Sequence, residues 1–326
     1  MRGSLWSGFL ALAMCFSMAW VDLRLERRAS DAPAPPETAA PAQRPALAAA
    51  SESLRVLHGD ELFTLDMEEY LIGVVAAEMP ADFEPEALKA QAVAARTYAR
   101  YCAETKRHPE ADVCTDFACC QAWRSDEELR ALWGEGYEAR HEKVAEAVRE
   151  TAGELLCYDG RAIFAAFHSS SAGRTEDCGA IWSELPYLVS VMSPEDAESV
   201  PGYVSTLTLK PLDLRDTLLY AHPEADFSGP PESWLGEIQR DNSGRVANVE
   251  LGGARFSGVE LRQLFSLRST AFTLRYDGDF IFTVTGFGHG VGMSQYGAEV
   301  MAREGRSYRE ILAHYYHGTE LVVYNT

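Results

Sequence analysis

Positive charge is what this chain most lacks: 29 Lys and Arg face 49 Asp and Glu, for a formal charge of −20. That balance excludes the basic footprint that nucleic-acid binding needs. It equally excludes docking on anionic lipid through a polybasic patch. A neutral sugar polymer is compatible with such a surface, although the charge does not demand one. No internal repeat is present. No Gly-x-Ser-x-Gly elbow is present to carry a hydrolase nucleophile. Glycines 286, 288, 290 and 292 alternate and do not form Gly-x-Gly-x-x-Gly, so nucleotide binding gains no support.

One long uncharged run exists. Gly3 to Val21 is 19 residues without a charge and includes Leu5, Trp6, Phe9, Leu10, Leu12, Phe16 and Trp20. A membrane-spanning helix takes about 20 residues. A cleaved signal peptide is the rival, with Arg2 as a short basic head. The stretch after Ala19 offers no clean small-x-small cleavage site, which favours an uncleaved anchor. Arg24, Arg27 and Arg28 follow the run and Arg2 precedes it, so the charge asymmetry slightly favours the wrong side for an exported body. The body is nevertheless placed outside the cytoplasm on the chemistry below. Residues 30–50 are rich in Ala and Pro and read as an extended tether. The expected organisation is an anchor over 1–22, a linker over 23–52 and a working domain over 53–326. Seven cysteines are present; Cys15 falls in the anchor, and the other six allow 15 full pairings among which sequence does not choose.

Within the working domain, Leu54–Leu57 and Leu62–Leu65 predict strands around the turn His58-Gly59-Asp60. A helix is predicted from near Asp66, with Met67, Leu71, Val74 and Val75 at helical spacing, ended by Pro80. Glu78 continues that apolar face instead of turning to solvent. Pro85 opens a second helix running to Arg100. Its Leu88, Ala92, Ala95 and Ala99 make a narrow face suited to close packing. Ser125-x-x-Glu128 and Ser307-x-x-Glu310 fit capping boxes ahead of helices over 129–133 and 308–316. Strand-like stretches alternate with turns between Leu155 and Phe167 and from Val204 to Val284. The fold class is α+β: one large mixed domain, or two lobes around a glycan cleft, with helices concentrated at its two ends in sequence.

Three segments stand out: Val74-Val-Ala-Ala-Glu78-Met-Pro80 with the helix after it; Phe167-His-Ser-Ser-Ser-Ala-Gly-Arg-Thr175 with Trp182-Ser-Glu-Leu-Pro-Tyr-Leu188; and Gly286-Phe-Gly-His-Gly-Val-Gly-Met-Ser-Gln-Tyr-Gly297. In this order, and with the ending Ile311-Leu-Ala-His-Tyr-Tyr-His-Gly-Thr-Glu-Leu321, they resemble the stage II sporulation protein D family, which includes the amidase-enhancer proteins. The resemblance covers about Leu54 to Leu321. It implies a membrane-anchored lytic transglycosylase acting on septal peptidoglycan during forespore engulfment. It also implies an amidase that strips stem peptides from the strands and a membrane partner in the engulfment machinery. The loop after Phe167 departs from the family by carrying Ala172 where paired glycines are usual.

The residues point the same way. An ordinary glycosidase needs two carboxyl groups, and no second one is evident here. A lytic transglycosylase manages with one, because the muramic acid's own 6-hydroxyl is the nucleophile. Glu78 on an apolar face suits that role, and the resemblance makes it the catalytic glutamate; the alternative is a solvent-facing acid at a helix end. Lys89, Gln91 and Arg96 are candidates for lining the sugar cleft or for stabilising a carboxylate such as Glu78, against a plain charged helix face. His168, Ser169, Ser170 and Ser171 form a polar loop offering hydroxyls to sugar. His289, Ser294 and Gln295 are the side chains a glycan would meet if the alternating glycines admit a ligand; close approach of a second strand is the other reading. His314 and His317, one turn apart on the last helix, could bind metal but read as a structural pair at a helix end. His108-x5-Cys114-x4-Cys119-Cys120 places four zinc-compatible ligands in 13 residues, with a disulfide as the rival. Some clostridial members of the family bind zinc in this stretch, which implies one structural zinc here and no cofactor for the chemistry.

Overall fold

The computed structural model describes residues 52–323. The Gly3–Val21 run, Cys15 and the Ala/Pro-rich stretch of residues 30–50 lie outside the described residues. The described chain divides into two compact units. The larger takes residues 52–178, 184–203 and 286–323; the smaller takes 179–183 and 204–285.

The larger unit opens with β1 (Ser53–His58) and β2 (Glu61–Asp66), paired antiparallel across Gly59-Asp60 as the sequence predicts. Asp66 then accepts from the backbone N–H of Glu68 at 2.9 Å and caps α1 (Met67–Glu78). This helix buries Tyr70, Leu71, Val74 and Val75 completely. It stops at Glu78 because Met79 precedes Pro80 and is forced into an extended conformation. Pro85 starts α2 (Pro85–Thr105), which runs five residues beyond Arg100 and ends on left-handed Lys106. The predicted small-residue face is real: Leu88, Ala92, Ala95 and Ala99 are fully buried.

A short strand, β3 (Val113–Cys114), pairs parallel with β1. The first capping box starts α3 (Asp126–Trp133). The next helix, α4 (Tyr137–Glu150), packs on α1 and α2 and has no counterpart in the sequence reading. Next, β4 (Glu154–Tyr158) pairs antiparallel with β5 (Arg161–Ala162), and β6 (Phe167–His168) leads into the serine loop. A one-turn helix, α5 (Cys178–Ile181), follows.

The smaller unit holds β7 (Val204–Leu209), α6 (Pro211–Ala221), β8 (Leu235–Arg240), β9 (Val246–Leu251), β10 (Ala254–Ser257), α7 (Gly258–Leu264), β11 (Phe272–Asp277) and β12 (Asp279–Thr285). Its strands form two antiparallel sheets, β10-β9-β8 and β11-β12-β7. Phe256, Phe272, Phe280, Phe282 and Leu214 fill its own core.

The chain returns to the larger unit through β13 (Met293–Ser294), parallel to β6. Then come α8 (Gln295–Arg303), α9 (Tyr308–Tyr315) behind the second capping box, and β14 (Glu320–Val323) against β4. The class is mixed α and β with several small sheets. Helices are not confined to the two ends in sequence, because α4, α6 and α7 lie between. Helix α9 ends at Tyr315, so His317 stands beyond it, and His314 donates to the Met192 carbonyl at 2.7 Å. Among the described residues no helix is long and apolar enough to cross a membrane.

Candidate functional site

Glu78 is half-buried at the last position of α1. Its Oε1 accepts the backbone N–H of Ala122 at 2.7 Å, and the Gln295 amide approaches Oε2 at 3.5 Å. Burial pushes its carboxyl up to about 7, against the pull of the Ala122 and Gln295 donors. Gln295 is the first residue of α8 and also lies 3.5 Å from Oε1 of Gln91, a fully buried residue on α2. Helix α8 and the segment before α3 therefore meet the α1 carboxyl directly, and α2 stands behind them through Gln295. Arg124 holds that segment against α1 through its N–H to the Gly73 carbonyl.

The serine loop and the glycine run meet as neighbouring chains. Ser170 and Phe287 exchange both backbone hydrogen bonds, and the Met293 N–H reaches the Ala166 carbonyl. Gly286, Gly288, Gly290 and Gly292 all have positive φ. A Cβ at position 292 would stand 2.0 Å from the Ala166 carbonyl oxygen, and one at 288 would stand 2.8 Å from the His168 Cβ. The alternation thus admits a second strand, the other of the two readings.

His168 and Ser171 are buried together. The imidazole Nδ1 faces the Val291 carbonyl at 3.2 Å and so carries the proton; Nε2 accepts from Ser171 Oγ at 2.7 Å. Ser171 has no solvent exposure, so its hydroxyl orders the loop and is not presented to a substrate. Ser170 is buried as well, while Ser169 is half-buried, its carbonyl taking the Tyr296 N–H at 3.0 Å. His289 is half-buried; its ring stands 5.7 Å from that of His168, and its Nδ1 accepts the Val291 N–H.

One residue escaped the sequence reading. Glu195, 2% exposed, receives Ser171 N–H, Ser193 Oγ and Ser294 Oγ, each at 2.5 Å. It sits in the acidic stretch Glu195-Asp-Ala-Glu198, whose pattern reads as a solvated surface. No local signal marks it.

Two predicted cations stand elsewhere. Arg96 is 2% exposed, with its guanidinium on both Glu68 oxygens and on the Val148 and Glu154 carbonyls. Lys89 pairs with Glu86 at 2.8 Å and Glu150 at 2.6 Å. These contacts tie α2 to its surroundings, and no contact joins either cation to Glu78.

The cysteine cluster is assembled. Cys114 comes from β3, and a turn closed by the N–H groups of Cys119 and Cys120 on the Asp116 carbonyl brings the other two thiols to it. His108 Nε2 lies 3.2 Å from the Cys120 sulfur and 3.8 Å from that of Cys119. All four ligand atoms fall within 4.8 Å of one another. Bonds of about 2.3 Å to sulfur and 2.0 Å to nitrogen need a slightly tighter set, with edges of roughly 3.5–3.8 Å. Soft donors this close fit a metal ion, and Cys114, Cys119 and Cys120 are not joined in a disulfide.

A family model described as Stage II sporulation protein matches residues 60–158. Stage II sporulation protein D of Bacillus subtilis (strain 168) is 41% identical over 263 residues, covering 79% of this chain and 74% of that protein. Its counterpart from Bacillus amyloliquefaciens is 39% identical over the same shares. The amidase enhancer of Bacillus subtilis (strain 168) is 30% identical over 306 residues, covering 78% of this chain and 40% of that protein. The first two matches run across most of both proteins, far past the segment around Glu78, and on their strength the chain belongs to the stage II sporulation protein D family.

Proposed function

We propose that this protein is a peptidoglycan lytic transglycosylase with Glu78 as its single acid and base. The supporting observation is a half-buried carboxyl lifted to about 7 and steadied by one N–H and one amide. A group that must give and then take a proton works best with its pKa near the working pH. Protonated Glu78 donates to the oxygen of the MurNAc–GlcNAc bond as the bond from C1 breaks. The resulting carboxylate takes the proton of the muramoyl 6-hydroxyl, whose oxygen bonds to C1. The product is a 1,6-anhydro end; no water enters, and Glu78 finishes protonated. Because the substrate's own 6-hydroxyl is the nucleophile, the reading needs no second carboxylate, and Glu195 already accepts on both oxygens from the protein itself. Denuded strands left by an amidase are the substrate proposed. The Gly3–Val21 run is proposed to anchor the enzyme with its working domain outside the cytoplasm, next to a membrane partner.

The test is mass spectrometry of products from purified denuded glycan in heavy-oxygen water. Unlabelled 1,6-anhydro ends are expected; labelled reducing ends mean hydrolysis and overturn the mechanism. Glu78→Gln should lose roughly 100- to 10,000-fold in rate. Activity should fall as pH rises through about 7, because the proton donor is lost there. The kinship with an amidase enhancer supports a second reading, a wall-binding protein that stimulates an amidase. That reading replaces the first if neither wild type nor Glu78→Gln cleaves glycan while both stimulate the amidase.

The cluster of His108, Cys114, Cys119 and Cys120 is proposed to hold one structural zinc. When bound, zinc would supply folding energy to the segment that ends at Ala122 and no step of the reaction. Protein purified without added metal should contain about one equivalent, and Cys114→Ser should lower the melting temperature before it alters product chemistry. A metal-free wild type of equal stability refutes the site.

A further inference from the structure

We propose that Glu195 is a positioning residue for Glu78, acting through Ser294 and Gln295. Buried carboxylates are expensive unless fully hydrogen-bonded, and this one gathers three separate pieces of chain. Its Oε1 accepts from the Ser171 N–H of the serine loop and from the Ser294 hydroxyl; its Oε2 accepts from the Ser193 hydroxyl. The Tyr315 hydroxyl of α9 stands 2.8 Å from Ser193 Oγ and donates to it, since the hydrogen of that serine is already given to Glu195. Burial, with the Glu195 carboxylate next, holds the Tyr315 phenol far above its ordinary value, so it stays a donor.

Ser294 is the N-cap of α8, and its Oγ also accepts the Gly297 N–H at 3.2 Å. The first turn of α8 is therefore pinned to Glu195. Gly297 shows how tightly: a Cβ there would lie 2.1 Å from Tyr315 Oη, 2.5 Å from Ser193 Oγ and 2.7 Å from Glu195 Oε2. Gln295 is the residue next to the pinned Ser294, and its amide is the side-chain donor aimed at Glu78. The angular placement of that amide is set by the cap. Gln91, buried beneath it, offers Oε1 as the second acceptor that orients the amide.

The catalytic consequence rests on the reading of Glu78 given above; the positioning does not. The direction of the effect separates positioning from plain electrostatics. Removing a negative charge near Glu78 would lower its titration midpoint. Releasing Gln295 would raise it, because a donor to the ionised form is lost.

The experiment is carboxyl-carbon NMR titration of the full chain without glycan, with Glu78→Gln assigning the resonance. Glu195→Ala and Gln295→Ala should each raise the Glu78 midpoint by about half a unit. The double variant should show no more than either alone. Glu195→Gln keeps a carbonyl for Ser171 and Ser294 and should return the midpoint towards wild type. An unchanged or lowered midpoint in folded Glu195→Ala, or two shifts that add, overturns the proposal. If Glu195→Ala does not fold, Ser294→Ala breaks the same link and is read in the same way. A protein that cleaves no glycan would sink the enzymatic reading while leaving this titration intact.

Discussion

Arg96 shows how a charged residue on a helix changes meaning once its surroundings are known. Along α2 it reads as part of a charged face. In the fold, α4 and β4 close over it, and its guanidinium bonds Glu68 through both Nε and Nη2. The Val148 and Glu154 carbonyls receive the rest of the fork. An arginine held this way is structural, because removing one partner leaves charge or carbonyls unsatisfied in the interior. Arg96→Ala is expected to destabilise the protein by about 3 kcal/mol, with the rate per folded molecule little changed. Chemical denaturation with a parallel glycan assay checks this. A stable Arg96→Ala protein with poor glycan affinity would restore a substrate role.

At the scale of elements, the glycine run is a seam. Gly292 passes the Ala166 carbonyl where no side chain fits. Gly292→Ala should therefore cost more than about 3 kcal/mol, since backbone must move as well as adopt a strained φ. Gly160, at φ +75 with open space around it, is the control. Gly160→Ala should cost about 1 kcal/mol, the left-handed penalty alone. Equal melting temperatures for the two variants would show that the seam is loose. The contrast also marks what a sequence discloses. The hairpin at Gly59-Asp60, the helix start near Asp66 and both capping boxes were legible because each is closed by residues within four positions. Glu78 was legible because helical spacing turned it inward, and the four metal-binding candidates because they lie close in sequence. Helix α6 was missed inside a stretch that read as strands, although Pro211 at its first position was a usable signal. Glu195 was out of reach, since its meaning depends on Ser171, Ser193 and Ser294, which only the folded chain brings together.

For the whole molecule, Glu78 links the proposed chemistry to stability. Its carboxyl titrates near 7 in the folded protein and near its ordinary 4.5 when unfolded. Between those values the native state holds more protons than the unfolded state. Stability therefore falls as pH rises through this window and levels off above about 7. Below about 4.5 both states are protonated and the penalty vanishes. The chain's charge of −20 adds its own pH dependence through general repulsion, which would mask the effect in wild type alone. Glu78→Gln shares that background, so the difference between the two proteins isolates one group. The variant should gain on wild type as pH rises from 4.5 to 7, by up to about 3 kcal/mol, and the gap should stay constant to pH 8. Urea unfolding of both proteins across this range measures it. A gap that is flat with pH would mean that Glu78 titrates as an ordinary surface acid, and the single-residue acid and base mechanism would lose its physical basis.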